Sequence, residues 1–319
     1  MDTLNRTHIA PALNRYPADM PMTPLTPIQL GATEPVIWCK LEFLNPSGST
    51  KDRIARYILG NAFRRGQIKP GSTVIEASSG STSIAMALVC AQLGVRFIAV
   101  VPEGVSNERA LIIRAYGGTV QFSPHDEGIR GCIRESERLA AETGGFLPRQ
   151  FANPENVEAH QFGTAREIVE QMSDHVVDGV VSGVGTGGTL VGLMKGCSSE
   201  RHIQRAFLAR PVELDRTREQ ECCSFSRRIP GVLECVSSLF RESDYLNLTT
   251  IEVTDDEALE TTRHLIRLGF PVGPSSGLNY RAAMIAAEAV WPAKIVTVFP
   301  DRMERYFSTD LFRPYVGMS

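Results

Sequence analysis

No stretch of this 319-residue sequence is long and apolar enough to span a bilayer. The longest apolar run, Ile84–Cys90, ends far short of the length a membrane helix needs. The N-terminus has no basic-then-apolar pattern of a secretory signal. Charge of one sign is not in excess. The net charge of −3 gives no electrostatic reason to expect a nucleic-acid partner. The cysteines (Cys39, Cys90, Cys132, Cys197, Cys222, Cys223 and Cys235) are odd in number and form no Cys-x-x-Cys pair. They read as reduced, mostly buried thiols of a cytoplasmic protein. The six histidines are scattered without ligand spacing, so no metal site is expected. Internal repeats, low-complexity segments and an obvious flexible linker are all missing.

What is present is ordinary for a soluble globular chain: 43% hydrophobic and 22% charged residues. The length allows one large or two modest domains with a sizeable core. Residues 1–20 are polar and Pro-containing and read as an arm lying on the surface or on a partner subunit. The remainder alternates strands and helices. Strands are expected over 36–41, 73–76, 95–101, 119–122, 146–151, 176–182, 251–253 and 294–299. Helices are expected from Lys51 to about Arg65 and over 84–93, 107–116, about 127–143, 160–172, 190–194 and 255–268, with an Ala-rich helix after Gly277. Strand, small-residue loop and helix in succession make the βα unit of a doubly wound sheet.

Three loops carry chemistry. The first is Asn45-Pro46-Ser47-Gly48-Ser49-Thr50-Lys51-Asp52-Arg53. Pro and Gly force a turn, and Ser49 or Thr50 caps the helix that follows. Lys51 then sits in the first helical turn, where the helix dipole disfavours an ammonium. A lysine poised to lose its proton is a nucleophile toward an aldehyde. A lone lysine near a helix start is ordinarily just solvated, so its surroundings decide the reading. The second loop, Ala77-Ser78-Ser79-Gly80-Ser81-Thr82-Ser83, offers N–H groups and hydroxyls at a helix N-terminus, a receptor for carboxylate or phosphate. The third is Gly183-Val184-Gly185-Thr186-Gly187-Gly188-Thr189. Its glycines let the backbone close around an oxyanion while the threonines add donors. Its spacing is not Gly-x-Gly-x-x-Gly, so one phosphate fits it better than a pyrophosphate.

These segments, in this order, resemble the pyridoxal-phosphate enzymes of the cysteine synthase and cystathionine β-synthase family (fold type II). The resemblance covers nearly the whole chain. It implies an α/β fold of two doubly wound, Rossmann-like domains with pyridoxal 5′-phosphate between them. Residues 1–45 would be an N-terminal arm and strand packing on the larger domain. Residues 46–150 would form the smaller domain, with a mobile subdomain at about 95–141, and residues 151–319 the larger one. By the same resemblance Lys51 carries the Schiff base, and Gly185, Thr186, Gly187, Gly188 and Thr189 hold the cofactor phosphate. Ser275, in Gly273-Pro274-Ser275-Ser276-Gly277, would bond the pyridine nitrogen. Ser78, Ser79, Gly80, Thr82 and Gln150 would hold the substrate carboxylate, and Gly231, in Arg228-Ile229-Pro230-Gly231-Val232, would line the substrate mouth. Ser81 stands where relatives carry an Asn that bonds the cofactor's 3′-oxygen. A serine is shorter, so that contact is remade at different reach or bridged by water. His160 reads as structural. Asp301-Arg302-Met303-Glu304-Arg305-Tyr306 matches the family's closing run and is assigned to packing near the cofactor edge.

The implied reaction is β-replacement on a β-substituted L-serine, O-acetyl-L-serine or O-phospho-L-serine, through an α-aminoacrylate. Sulfide is the default nucleophile, and an amine or amino acid is the other choice. Ser81 keeps a β-elimination alternative open, a cysteine desulfhydrase or serine dehydratase. A homodimer is expected from the family alone.

Overall fold

The computed structural model describes residues 20–78, 80–172, 174, 176–198, 205–213, 226, 228–232, 236–290 and 293–316. The chain opens with β1 (Leu25–Ile28) and β2 (Ile37–Lys40), paired antiparallel. A 3-10 turn over Glu42–Leu44 leads into α1 (Lys51–Arg64). Then come β3 (Thr73–Ala77), α2 (Ser81–Leu93), β4 (Arg96–Pro102), α3 (Asn107–Ala115), β5 (Thr119–Ser123) and α4 (Gly128–Thr143). The next helix runs as α5 (Glu155–Ala159), a π-helical turn (His160–Ala165) and α6 (Arg166–Gln171). The chain continues through β6 (Gly179–Ser182), α7 (Gly188–Cys197), β7 (Arg205–Val212), β8 (Leu248–Thr254), α8 (Asp255–Arg267), α9 (Pro274–Ala289) and β9 (Ile295–Val298).

Two sheets result. One is three-stranded and parallel, in the order β3-β4-β5; the other has the order β1-β2-β9-β6-β7-β8, parallel except for β1. Every residue of β6 and β9 is buried, as expected of central parallel strands covered on both faces. In the larger sheet, α9 residues such as Leu278 and Ala282 pack with Phe207 and Ile251, while Ile168, Leu190 and Leu193 from α6 and α7 pack with Val180 and Val296. In the smaller sheet, α1 and α2 cover one side through Leu59 and Ile84, and α4 covers the other through Ile129 and Cys132. Helices on both faces of parallel sheets make this the doubly wound α/β fold expected.

A buried charge network ties α1 to the larger sheet. Arg53 Nη2 lies 2.7 Å from Glu42 Oε1, and its Nη1 meets Glu167 of α6. Lys40 Nζ, at the end of β2, lies 2.7 Å from Glu167 Oε2 and donates to the Thr23 carbonyl at 2.6 Å. Thr23 Oγ1 donates to Glu42 Oε1 at 2.7 Å. Burial alone would raise the Glu42 carboxyl, but the adjoining Arg53 charge and its hydrogen bonds bring it down to about 2.

One expectation fails here. Residues 146–151 are not a strand; Phe146 makes only an isolated bridge to Val74. Pro148 has no N–H to give, and Arg149 takes a positive φ of 55°, which turns the chain out of an extended path. An Arg-rich stretch for which the sequence suggests no strand contains β7. There Arg205 and Arg210 flank the buried Ala206–Ala209, and the strand runs on through Pro211 to Val212. Pro211 lies beyond the last pair with β6, Ser182↔Leu208, while β8 still pairs with it at Val253. Arg201, Arg216, Arg218, Cys222, Cys223 and Cys235 lie outside the described residues, as do residues 1–19. Cys39, Cys90, Cys132 and Cys197 are buried free thiols. Among the described residues, no helix is long and apolar enough to cross a membrane.

Candidate active site

Strand ends and helix N-termini of both sheets converge on one cleft. It encloses about 910 Å³ of empty space, part of it open to solvent. Lys51, Ser81, Thr82, Gln150, Gly185, Thr186, Gly187, Thr189, Gly231 and Ser275 all line it. Loops far apart in sequence therefore meet where the sequence places the chemistry. Ser78, Gly80 and Gly188 do not line the cleft, and Ser79 lies outside the described residues.

Lys51 is the first residue of α1. Its amide donates to Ser49 Oγ at 3.3 Å, so Ser49 supplies the capping oxygen, while the Thr50 side chain makes no cap bond. Asp52 accepts from the backbone N–H groups of Ser47 at 2.9 Å and Ser49 at 3.3 Å, which fixes the turn before the lysine. Gly48, at φ +81°, lies against Arg302, and Arg305 Nη1 donates to the Gly48 carbonyl at 3.0 Å. The Lys51 amine is pushed down from its usual range, as expected. The main cause is burial, and the Asp301 charge pulls the other way.

The second loop is braced from behind. Ser78 Oγ points inward and accepts from Gly80 N–H at 2.8 Å and Ser83 N–H at 3.2 Å. Its role here is to shape the loop. Gly80, at φ +131°, makes room for Arg109 of α3; a Cβ there would stand 2.4 Å from Arg109 Cδ. Thr82 Oγ1 donates to Gln150 Oε1 at 2.6 Å, and Gln150 Nε2 donates to the Ala77 carbonyl at 2.6 Å. Beneath them Glu76 accepts from the Gln150 backbone N–H at 3.1 Å. Burial pushes the Glu76 carboxyl up to about 8, against the pull of these N–H groups. It is therefore mostly neutral near pH 7 and does not repel an anion at the loop.

The third loop fits a phosphate on its own geometry. A Cβ on Gly185 would lie 2.3 Å from the Gly231 carbonyl oxygen, and one on Gly187 would lie 2.3 Å from Phe240 Cβ. Gly187 also takes φ +85° and delivers the chain to the N-terminus of α7. Asn156 Nδ2 donates both to the Gln150 carbonyl at 2.8 Å and to Thr186 Oγ1 at 3.0 Å. Thr186 keeps its own hydrogen to give. His160, in the π-helical turn, lies 3.3 Å from Thr189 Oγ1 and 2.9 Å from Thr164 Oγ1. Burial, then the Lys51 charge, pushes its imidazole down to about 3, so it acts as a neutral partner of the loop.

Gly188 explains itself by packing. A Cβ there would fall 1.9 Å from Asn156 Oδ1 and 2.6 Å from its Cγ. Gly188→Ala is expected to displace Asn156, cost about 1–3 kcal/mol of stability and weaken binding of a phosphate-bearing cofactor about tenfold or more. Denaturant unfolding and an absorbance titration measure the two effects.

Two cleft residues, Arg109 and Asn279, escape sequence reasoning, and two more, Asp301 and Tyr306, belong to the run expected to pack near the cofactor edge. Asn279 Oδ1 accepts from Gly183 N–H at 2.7 Å, pinning the start of the phosphate loop. Tyr306 OH donates to Asp301 Oδ2 at 2.6 Å, and the Arg109 guanidinium sits 5.1 Å from the Tyr306 ring centroid.

Comparison with known proteins agrees with this geometry. The family described as "Pyridoxal-phosphate dependent enzyme" matches residues 17–301. A cysteine synthase of Staphylococcus aureus is 36% identical over 282 residues, covering 86% of this chain and 89% of that protein. Among solved structures, O-ureido-L-serine synthase superposes with a TM-score of 0.82 at 32% identity, covering 93% of this chain and 94% of the other. The O-acetylserine dependent cystathionine β-synthase of Helicobacter pylori gives 0.81 at 34% identity, covering 91% and 95%. The chain belongs to the pyridoxal-phosphate dependent enzymes, in the branch of the cysteine synthases and cystathionine β-synthases.

Proposed function

We propose that the protein catalyses β-replacement on a β-substituted L-serine, with O-acetyl-L-serine as donor and sulfide as nucleophile. The observation that carries this reading is the convergence of Lys51, the Thr82–Gln150 pair, the Gly185–Thr189 cup and Ser275 on one cleft. Pyridoxal phosphate, when bound, supplies an aldehyde for amines and an electron sink for the substrate's Cα.

This chain's residues do the rest. The cup and the α7 N-terminus would hold the phosphate, and Lys51 would anchor the aldehyde end. The Ser275 hydroxyl, at the cleft wall, would bond the ring nitrogen. A neutral hydroxyl does not hold that nitrogen protonated, which tempers the sink and favours chemistry at Cβ over transamination. Thr82 and Gln150 orient the substrate carboxylate. Lys51, once free, takes the Cα proton. The C–H bonding electrons move toward Cβ as the β-substituent leaves with its own pair. The nucleophile then adds at Cβ and Lys51 returns the proton to Cα.

The same reading divides the chain into a smaller lobe over 46–150, with a moving part at about 95–141, and a larger lobe over 151–319 joined by 1–45. Membership of β1 and β2 in the larger sheet supports that division. The working unit is taken to be a cytoplasmic homodimer, which light scattering tests.

The deciding experiment supplies the loaded enzyme with O-acetyl-L-serine, with and without sulfide, and identifies products by mass spectrometry. Cysteine formed only with sulfide supports replacement. Pyruvate and ammonia without a nucleophile would move the assignment to elimination, and a different β-substituted alanine from an amine would move it to another acceptor.

A further inference from the structure

We propose that His160, held as its Nε2–H tautomer, turns the Thr189 hydroxyl into a dedicated hydrogen-bond donor for a dianionic phosphate ester, and that Asn156 does the same for Thr186. This inference rests on the reading of the Gly185–Thr189 cup as the phosphate holder.

Helix α7 lies close against α5 and the π-helical turn. A Cβ on Gly192 would stand 2.5 Å from His160 Cβ and 2.8 Å from the Val157 carbonyl oxygen, and one on Gly196 would stand 2.5 Å from Ala165 Cβ. With glycine at both positions, Asn156 and His160, four residues apart and so on one face of their helix, both reach the cup. Asn156 Nδ2 lies 3.0 Å from Thr186 Oγ1, and His160 Nε2 lies 3.3 Å from Thr189 Oγ1. His160 opens the π-helical turn, a distortion that helices carry frequently at functional sites. Thr186 and Thr189 line the cleft, whereas Asn156 and His160 stand behind them.

The direction of each hydrogen bond follows from where its hydrogen can go. His160 is wholly buried, and burial first, then the Lys51 charge, keep it neutral against the pull of Glu42. A neutral imidazole has one N–H and one bare nitrogen. The Nδ1 side decides which is which. Thr164 Oγ1, also fully buried, lies 2.9 Å from Nδ1 and finds no other acceptor among the described residues. Were the proton on Nδ1, the Thr164 hydrogen would be left buried without a partner, and such orphans are rare and costly. Thr164 therefore donates to Nδ1, and the proton sits on Nε2, which donates to Thr189 Oγ1. The Thr189 hydrogen is left for the cleft. Asn156 Nδ2 can only donate, so the Thr186 hydrogen is released in the same way. A cup whose hydroxyls are set to give suits phosphate oxygens that carry no hydrogen, the state of a dianionic monoester. His160 and Asn156 act through the two threonines and are positioning residues.

The test compares pyridoxal 5′-phosphate with pyridoxal, which lacks the phosphate, as ligands of the full chain freed of cofactor, each followed by absorbance. His160→Leu is expected to weaken pyridoxal 5′-phosphate about tenfold or more while pyridoxal stays within about threefold, because the lost hydrogen bond to a charged group acts only where the phosphate is present. His160→Gln, which keeps an N–H donor at the reach of Nε2, is expected to recover most of the loss. Equal weakening of both ligands, or no better binding in His160→Gln than in His160→Leu, reduces His160 to packing and overturns the proposal. The tautomer is read independently, in the wild-type protein loaded with cofactor and carrying isotope-labelled histidine. Proton–nitrogen correlation spectra, assigned to His160 by its Overhauser contacts with Thr164 and Thr189, are expected to show Nε2 protonated and Nδ1 bare near neutral pH. A proton on Nδ1, or on both nitrogens, overturns the proposal even if neither variant folds. A wild type that binds pyridoxal as tightly as its phosphate ester overturns the cup reading itself, and the inference with it. A wild type that prefers the ester, beside a His160→Leu protein that keeps the whole preference, overturns the role of His160 alone.

Discussion

Lys51→Ala is expected to lower turnover by at least about a thousandfold and to abolish the yellow colour of the loaded protein. Two functions disappear together: the amine that anchors the aldehyde and the base that moves the Cα proton. A positioned general base alone is worth about 10²–10⁴ in rate. The covalent role adds to it, and such coupled losses are not additive. The fold should survive, because the Lys51 side chain makes no hydrogen bond to any described residue, while its backbone amide, which bonds Ser49 Oγ, is kept by alanine. Absorbance with added pyridoxal phosphate, steady-state rates and a melting curve check the three parts. Retained colour and turnover would remove the basis for the proposed function.

Arg53→Met is expected to have the second largest effect, this time on stability. The guanidinium sits between Glu42 and Glu167 with both carboxylates drawn in around it. Removing it leaves Glu42, which is fully buried, without its cation. Breaking one side of such a pair costs about 3–5 kcal/mol. The pH dependence gives an independent check. In the wild type, the folded Glu42 carboxyl lies at about 2, below its unfolded value of 4.5. Its contribution is therefore complete above pH 4.5 and is lost as pH falls toward 2. Without Arg53 burial raises the carboxyl instead, so this acid-side loss should shrink or reverse in the variant. Denaturant midpoints at several pH values measure both effects. Because Arg53 lies two residues past Lys51 on α1, a weakened network should also loosen the lysine's position.

The lysine segment, the phosphate loop and Ser275 are legible in the sequence because each carries backbone shape and chemistry within one short run. Gly187 needs positive φ, Thr186 and Thr189 supply donors beside it, and no distant residue is required to see this. Thr254 is legible for the same reason, and the structure gives it the full capping box with Glu257. Arg109, Asn156 and Asn279 are not legible. Each acts by reaching a loop far away in the chain, and as isolated residues they look like surface or structural side chains. Ser78 shows the converse. Its neighbourhood predicts a ligand contact, but its hydroxyl is consumed in closing the turn. The stretch at 146–151 misleads because Phe146 and Phe151 suggest a strand while Pro148 and Arg149 decide the path. β7 is hidden by its flanking arginines, although Ala206-Phe207-Leu208-Ala209 is the apolar run of a buried strand.

The strand order of the larger sheet constrains how the chain can be made. β9, close to the end of the sequence, sits between β2 and β6. During synthesis β1–β2 and β6–β7–β8 can each assemble, but each then exposes an unpaired edge to the solvent. The seam is filled only when residues 295–298 leave the ribosome. The three-stranded sheet has all its strands by residue 123 and has no such wait. A nascent chain stalled or cut before residue 295 would carry a complete three-stranded sheet and an open, aggregation-prone larger one.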